Sequence, residues 1–512
     1  MWRIRIVAIG INAFEHGDIM QRDASPEARG RWALSQSSAR FPAESWFWGF
    51  CILGALTILV PFELLYRAPQ LDLGLPILLA LSSTTYSGAH LALLATRGRK
   101  KLLSLTFWVF AYVWLGLVPL VQLATRHYPW SGSYDEWVSA YTLVIVLVGF
   151  VAYDIGSWLG RLCYHEYRGL VPYRFSLSKR RAYLLSLFAV VAALVAIQQL
   201  GGADVIIGAT RYSLDQASDP EASKAADLIW GTLLRVPAYI SLLTIWWIWL
   251  NRKSLLTQRW QRVRHLAILV LLLVLNLAVN NPISLNRFYL GTILFSFVVI
   301  SLGWNERRSF SIWVVGLVFA LVAIFPYSDV FREENQNLSL APVTTQLASN
   351  GDYDAFQQIA NTVVYVSDDG VTYGHQLLGA LFFWIPRTFW PGKPVGSGQF
   401  VAEHIGYDFT NLSSPLWAEA YINAGLIGVV AILLLFGLVT SLLQQGYIVS
   451  TKSRGLLFIG GLVPILAGFQ FFFLRGDLQN GIAYIVPMLG CYLLTARVTR
   501  VPSRTGHRND QV

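Results

Sequence analysis

Apolar runs of about 20 residues, each closed by a short polar interval, recur along most of the chain. That is the length a helix needs to cross the hydrocarbon of a bilayer. Twelve stretches qualify, at about 46–66, 72–95, 102–124, 137–160, 182–200, 228–250, 266–281, 288–304, 310–326, 416–442, 455–474 and 478–496. The seventh and eighth are short, and their join is the least defined. The pattern predicts an all-α polytopic membrane protein.

Three regions break the pattern. Residues 1–45 are polar and Arg-rich after a short, interrupted apolar start, and read as a disordered cytoplasmic tail without a secretory signal. Residues 497–512 form a second polar tail. Between them, residues 327–415 form the one sizeable extramembrane loop, separating spans one to nine (46–326) from spans ten to twelve (416–496). Within the loop, DYDAFQQIANTVVYV (352–366) has helical character. LLGALFFWI (377–385) is apolar but too short to span. It is expected to form a re-entrant or interfacial helix, stopped by the prolines of IPRTFWPGKPVGSG (385–398).

Composition agrees: 55% of residues are hydrophobic and 13% charged, against about 25% charged in soluble domains. The net charge of +10 would suit nucleic acid, but its distribution argues for topology instead. Of 39 Lys and Arg, 29 lie in 3–40, 97–101, 161–181, 252–264, 307–308, 452–454 and 497–508. All of these fall on one side if there are twelve spans and both termini are cytoplasmic. The expected surroundings are therefore a bilayer, with no nucleic-acid partner. Cys51, Cys163 and Cys491 show neither disulfide nor zinc spacing.

Ten cations remain on the far side. Arg67, Arg126, Arg211 and Lys224 sit in ordinary polar loops. Arg235, Arg287 and Arg475 lie in or at the lip of apolar segments, where a charge is costly and usually functional. Arg332, Arg387 and Lys393 lie in the long loop. Guanidinium forks bind phosphate oxygens bidentately. NPISLNR (281–287), DVFREEN (329–335) and FFFLRGD (471–477) can bring three such forks to one anionic headgroup; the alternative is local pairing, such as Arg475 with Asp477. Glu419 heads the tenth span, as a favourable charge at a helix N-terminus or as a base for an attacking hydroxyl. Asp352, Asp354, His375, Glu403 and His404 are further candidates. Trp384, Phe389 and Trp390 suit a membrane interface or a sugar face. Asn337 and Asn411 each open an N-L-S sequon. Walker A, Rossmann, HExxH and GxSxG signatures are absent.

The ordered set NPISLNR, DVFREEN, GDYDAFQQIANTVVYV, GHQLLGALFFWIPRTFWPGKPVGSG, TNLSSPLWAEAYINAGLIG and FFFLRGDLQN resembles the bacterial O-antigen and exopolysaccharide repeat-unit polymerases of the Wzy type, over about residues 265–495. The resemblance implies a multispan, GT-C-like glycosyltransferase of the bacterial inner membrane, independent of metal and cofactor. Its substrate would be an oligosaccharide carried on undecaprenyl pyrophosphate, and a chain-length-regulating membrane protein would be a partner. Such enzymes act on the periplasmic face, moving the growing glycan onto the non-reducing end of a new repeat unit. The matching outer-loop positions are Arg287, Arg332, Arg387 and Arg475, with Lys393 beside them. Asp352, Asp354, His375, Trp390, Asn411 and Asp477 are the further substrate-contact candidates. An O-antigen ligase and a lipid-linked sugar transporter remain the alternatives.

Overall fold

The computed structural model describes residues 43–66, 73–97, 101–167, 173–199, 224–282, 285–302, 307–327, 341–451 and 456–500. Arg67, Arg211, Arg332, Asn337, most of the first tail and residues 501–512 lie outside them, as does the side chain of Lys224. The chain divides into two units, Met1–Cys51 and Ile52–Val512. Of the first, the helix beginning at Ala43 is described; the packing and the site described below concern the second.

The helices are α1 (Ala43–Gly54), α2 (Val60–Tyr66), α3 (Leu75–Arg97), α4 (Leu102–Tyr112), α5 (Val118–Thr125), α6 (Glu136–Tyr167), α7 (Lys179–Gln199), α8 (Lys224–Leu250), α9 (Arg252–Leu255), α10 (Arg259–Val279), α11 (Arg287–Ser301) and α12 (Arg307–Phe319). After them come α13 (Val343–Ser349), α14 (Ala355–Asp369), α15 (His375–Leu381), α16 (Ser397–Ile405), α17 (Leu416–Ser450), α18 (Phe458–Arg475) and α19 (Leu478–Leu494). The described residues of each of the twelve apolar stretches fall mainly on helix. Eight helical segments among the described residues are long and apolar enough to cross a membrane. Leu234–Leu250, Arg287–Ser301 and Leu478–Leu494 are apolar but shorter. The protein is thus a helical, multi-pass membrane protein with eight candidate spans.

Among the described residues three π-helical segments interrupt the spans: Ala55–Leu59, Val113–Leu117 and Ala320–Ile324. A π turn departs from the i→i−4 ladder, and in hydrocarbon a carbonyl left over must find another donor. Each segment offers one carbonyl to a hydroxyl. Tyr112 Oη donates to Leu56 O at 2.7 Å, Ser83 Oγ to Leu115 O at 2.5 Å and Tyr353 Oη to Leu321 O at 2.5 Å.

The segment Leu102–Thr125 is the most enclosed span. The two longest helices, α6 and α17, pack along one another: Trp417 Nε1 donates to Val146 O and Ser441 Oγ to Ser157 O. The α17 helix is broken near its start, where Ala424 and Gly425 leave helical geometry and Gly425 takes φ +60°. At the break, Ile422 O and Asn423 O accept from Thr372 N and Gly374 N, at 2.8 and 3.2 Å.

One end of this unit is tied by a feature the apolar pattern did not predict. Strands β1 (Tyr173–Leu177) and β2 (Ala496–Arg500) pair antiparallel, with Phe175 opposite Val498. Leu177 N also donates to Leu456 O, and Lys179 Nζ to Leu255 O. The ribbon therefore joins three cation-rich segments that the sequence assigns to one compartment, and the first four residues of the expected C-terminal tail, 497–500, are strand.

At the other end, residues 341–415 form a packed layer. The start of α14 is buried on every side, Gln357, Gln358, Asn361 and Thr362 included, and the helix packs against α6, α16 and α17. The expected interfacial helix is the two-turn α15, which ends before the prolines.

Candidate functional site

Arg287 begins α11 and Arg475 ends α18. A cation suits a helix C-terminus but opposes the dipole at an N-terminus, so Arg287 needs a nearby anion more. Asp352 supplies it: Arg287 Nη2 lies 2.6 Å from Asp352 Oδ2. Arg475 Nη2 lies 3.0 Å from Asp354 Oδ1 and 3.8 Å from Asp352 Oδ1, and donates to Gly351 O at 2.6 Å. The guanidinium groups also sit over rings, Arg287 on Phe325 and Arg475 on Phe288.

The acids are held by their own turn. The Asn350 side chain accepts from Asp352 N, and Trp114, within the second π segment, donates Nε1 to Asp352 O at 2.7 Å. Asp354 is 1% exposed. It also accepts from Ser413 Oγ at 2.7 Å and Trp130 Nε1 at 3.1 Å. Two arginines and two aspartates thus form one compact ionic cluster. Arg475 pairs with Asp352 and Asp354, not with Asp477.

A second carboxylate pair adjoins it through Gly476 and the 411–419 segment. Asp477 caps α19, accepting from Gln479 N and Asn480 N, while its other oxygen accepts from Gly398 N at 3.1 Å. Burial pushes the Asp477 carboxyl above its ordinary range. Glu419 is 2% exposed, and both its oxygens are engaged, by Ser397 Oγ at 2.8 Å and Leu478 N at 2.9 Å. Gly398 is required here, since a Cβ at that position would stand 2.2 Å from Leu412 O.

The proline-rich turn is self-knit. Lys393 is buried and donates from Nζ to Phe383 O and Ile385 O, at 2.6 and 3.0 Å. Burial, then the neighbouring Arg387 charge, pulls its pKa down. Arg387 donates to Lys393 O and Pro394 O. Both cations therefore close the turn through carbonyls. Trp384 and Phe389 project outward, 65% and 84% exposed, while Trp390 is half-buried. His375 and Asn411 are exposed and stand apart from the ionic cluster's contacts. His404 bridges Asp368 and Asp369 on the surface, and Glu403 receives Gln399 Nε2.

Sequence reasoning did not single out the polar network along α14. Trp130 N donates to Gln357 Oε1, and Gln357 Nε2 donates back to Trp130 O. Asn361 Nδ2 reaches Tyr407 Oη and Gln358 Oε1, and Tyr134 Oη donates to Asn361 Oδ1. The available signal was the spacing of Gln357, Gln358 and Asn361, which share a helical face. Also missed was Asp154 inside a span, which accepts from Tyr86 Oη and lies 3.0 Å from His90 Nε2. Among the described residues no group of three His, Cys, Asp or Glu side chains is placed to hold a metal ion.

The cluster offers fixed guanidinium donors to an anion and carboxylates to a hydroxyl proton. The chain matches no known family, no curated protein and no solved structure.

Proposed function

We propose that the protein is an inner-membrane glycosyltransferase that polymerises lipid-linked oligosaccharide repeat units at the periplasmic face. The observation that carries this reading is the convergence of Arg287, Arg475, Asp352 and Asp354 from three turns distant in sequence. In this reading the chain has twelve spans, both termini are cytoplasmic, and undecaprenyl pyrophosphate carries the donor.

The acceptor hydroxyl attacks the anomeric carbon, and the bond from that carbon to the pyrophosphate oxygen breaks with its electron pair leaving on the pyrophosphate. Arg287 and Arg475 stabilise that growing charge from fixed positions. Arg475 Nε, buried without a hydrogen-bond partner among the described residues, is the donor available for it. The hydroxyl proton passes to a carboxylate. Both Glu419 oxygens already accept protein donors, so Glu419 anchors the layer and Asp352 is the candidate base. With its side chain 13% exposed, against 1% for Asp354, Asp352 is the more accessible acid of the ionic cluster. Pyrophosphate competing for Arg287 would release the Asp352 oxygen that takes the proton.

The test is the glycolipid profile of a deletion strain complemented with variants. Loss of a polymerase leaves single repeat units on the outer face. Loss of a ligase leaves long polymer on the carrier, and loss of a flippase leaves units inside. Arg287→Lys and Arg475→Lys should each shorten the glycan at normal protein level, because the bidentate fork is lost. Full-length glycan from both variants would exclude the arginines from the reaction.

A further inference from the structure

A cleft of about 560 Å³ opens at the end of the molecule that carries the β ribbon, between the first turns of α7 and α10. Its polar wall is Lys179, Arg180, Gln261 and Arg264, and Leu184 and Leu187 continue it along α7. The charges stand against the helix dipoles. The first turn of α7 is Lys179-Arg180-Arg181 and α10 opens at Arg259, with no acidic residue in either first turn. A cation there is repelled by the helix N-terminus, and an anion would relieve both terms.

No acidic side chain among the described residues provides that relief. Among the described residues, Lys179, Arg180 and Arg264 have no carboxylate within ion-pair distance, whereas Arg287 and Arg475 at the opposite end do. Neighbouring cations turn elsewhere: Arg181 donates to Ala496 O and Arg262 to Leu256 O.

The cleft wall is built. The Arg264 guanidinium lies 5.8 Å over the Tyr183 ring. The Tyr183 hydroxyl meets His265 Nδ1 at 2.7 Å, and His265 Nε2 meets Ile245 O at 2.9 Å. Lys179 is steadied through Leu255 O, which occupies one of its three N–H groups.

The position is equally specific. Below the cations, α7 and α10 turn long apolar faces outward: Leu184 and Leu187 are 57% and 63% exposed, and Val270 and Val274 of α10 are exposed as well. Trp260, 68% exposed, marks the level where those faces begin, as tryptophan does at a membrane–water boundary. We propose that this cleft binds the headgroup of an anionic phospholipid, its phosphate held by Lys179, Arg180 and Arg264 and its acyl chains lying on Leu184 and Leu187. Basic recesses between helices at a membrane surface are suited to such headgroups.

The experiment is native mass spectrometry of the full-length protein, released from micelles containing equal phosphatidylglycerol and phosphatidylcholine. The wild type should retain phosphatidylglycerol selectively. In the triple variant Lys179→Gln, Arg180→Gln, Arg264→Gln that selectivity should fall by about 100-fold. The double variant Arg161→Gln, Lys253→Gln, which removes two same-side cations outside the cleft, should keep it. Unfolding midpoints in phosphatidylcholine nanodiscs check that the variants fold, and Arg264→Gln alone, with a smaller expected loss, serves if the triple variant does not. Equal retention of the two lipids by the wild type, or unchanged selectivity in a folded variant, overturns the proposal. So does displacement of the lipid by millimolar inorganic phosphate, which would make the ligand a free phosphate.

Discussion

The two ends of the molecule treat positive charge in opposite ways. At the end formed by the 341–415 layer, Arg287 and Arg475 are met by Asp352 and Asp354, and Arg387 and Lys393 by backbone carbonyls. At the ribbon end, Lys179, Arg180 and Arg264 line an open cleft with no acid beside them among the described residues. In the proposed orientation the ribbon end is cytoplasmic, where membrane topology rewards cations whatever they touch, so Lys179, Arg180 and Arg264 need no acid beside them. On the far side a cation has no such reason to persist and is kept where local chemistry uses it.

The sharpest way to break this contrast is to remove one partner at each end. Arg475→Ala would remove the buried Asp354 carboxylate's ion partner and should cost about 3–5 kcal/mol, while Arg180→Gln should stay within about 0.5 kcal/mol. Denaturant midpoints in detergent measure both, and similar losses at the two ends would abolish the distinction. Next in size is Gly398→Ala, expected to destabilise by about 1–3 kcal/mol because the methyl meets backbone at Leu412.

Asp477 gives a pH signature confined to the layered end. Its folded pKa lies above the ordinary 3.8. The native state therefore holds its proton longer than the unfolded chain does. The resulting stabilisation is present below 3.8 and is lost as pH rises through the raised value. Asp477→Asn keeps a competent helix cap and should flatten that part of the stability–pH curve. An unchanged curve would assign the titration elsewhere, the facing Glu419 being the nearest alternative. Smallest of all, Trp384→Ala should leave the midpoint within about 0.5 kcal/mol, since the ring is largely exposed and the turn closes through Lys393 and Arg387.

What could be read beforehand follows from what each feature depends on. Helix positions were legible because apolar runs of span length encode them directly. The π segments were not, because widening one turn leaves the run of apolar residues unchanged. Arg287, Arg475, Asp352 and Asp354 were all visible as candidates, yet their pairing was not: Arg475 and Asp354 are 121 residues apart, and nothing local couples them. Lys393 looked like a free cation, since a sequence does not reveal that two carbonyls of its own turn lie within reach. The ribbon was hidden because YRFSL and ARVTR are short and basic, and read as topology signals.

The break in α17 has a mechanical consequence. The head of the helix, Leu416–Asn423, carries Glu419 and is stitched to the loop through Ile422 and Asn423. The shaft beyond Gly425 lies against α6. A continuous helix would transmit any tilt of the shaft straight into the ionic layer. A strut jointed at Ala424 and Gly425 gives the head its own angle, so Trp417 can reach Val146 of α6 and Glu419 can reach Ser397 and Leu478 while the shaft follows α6 separately.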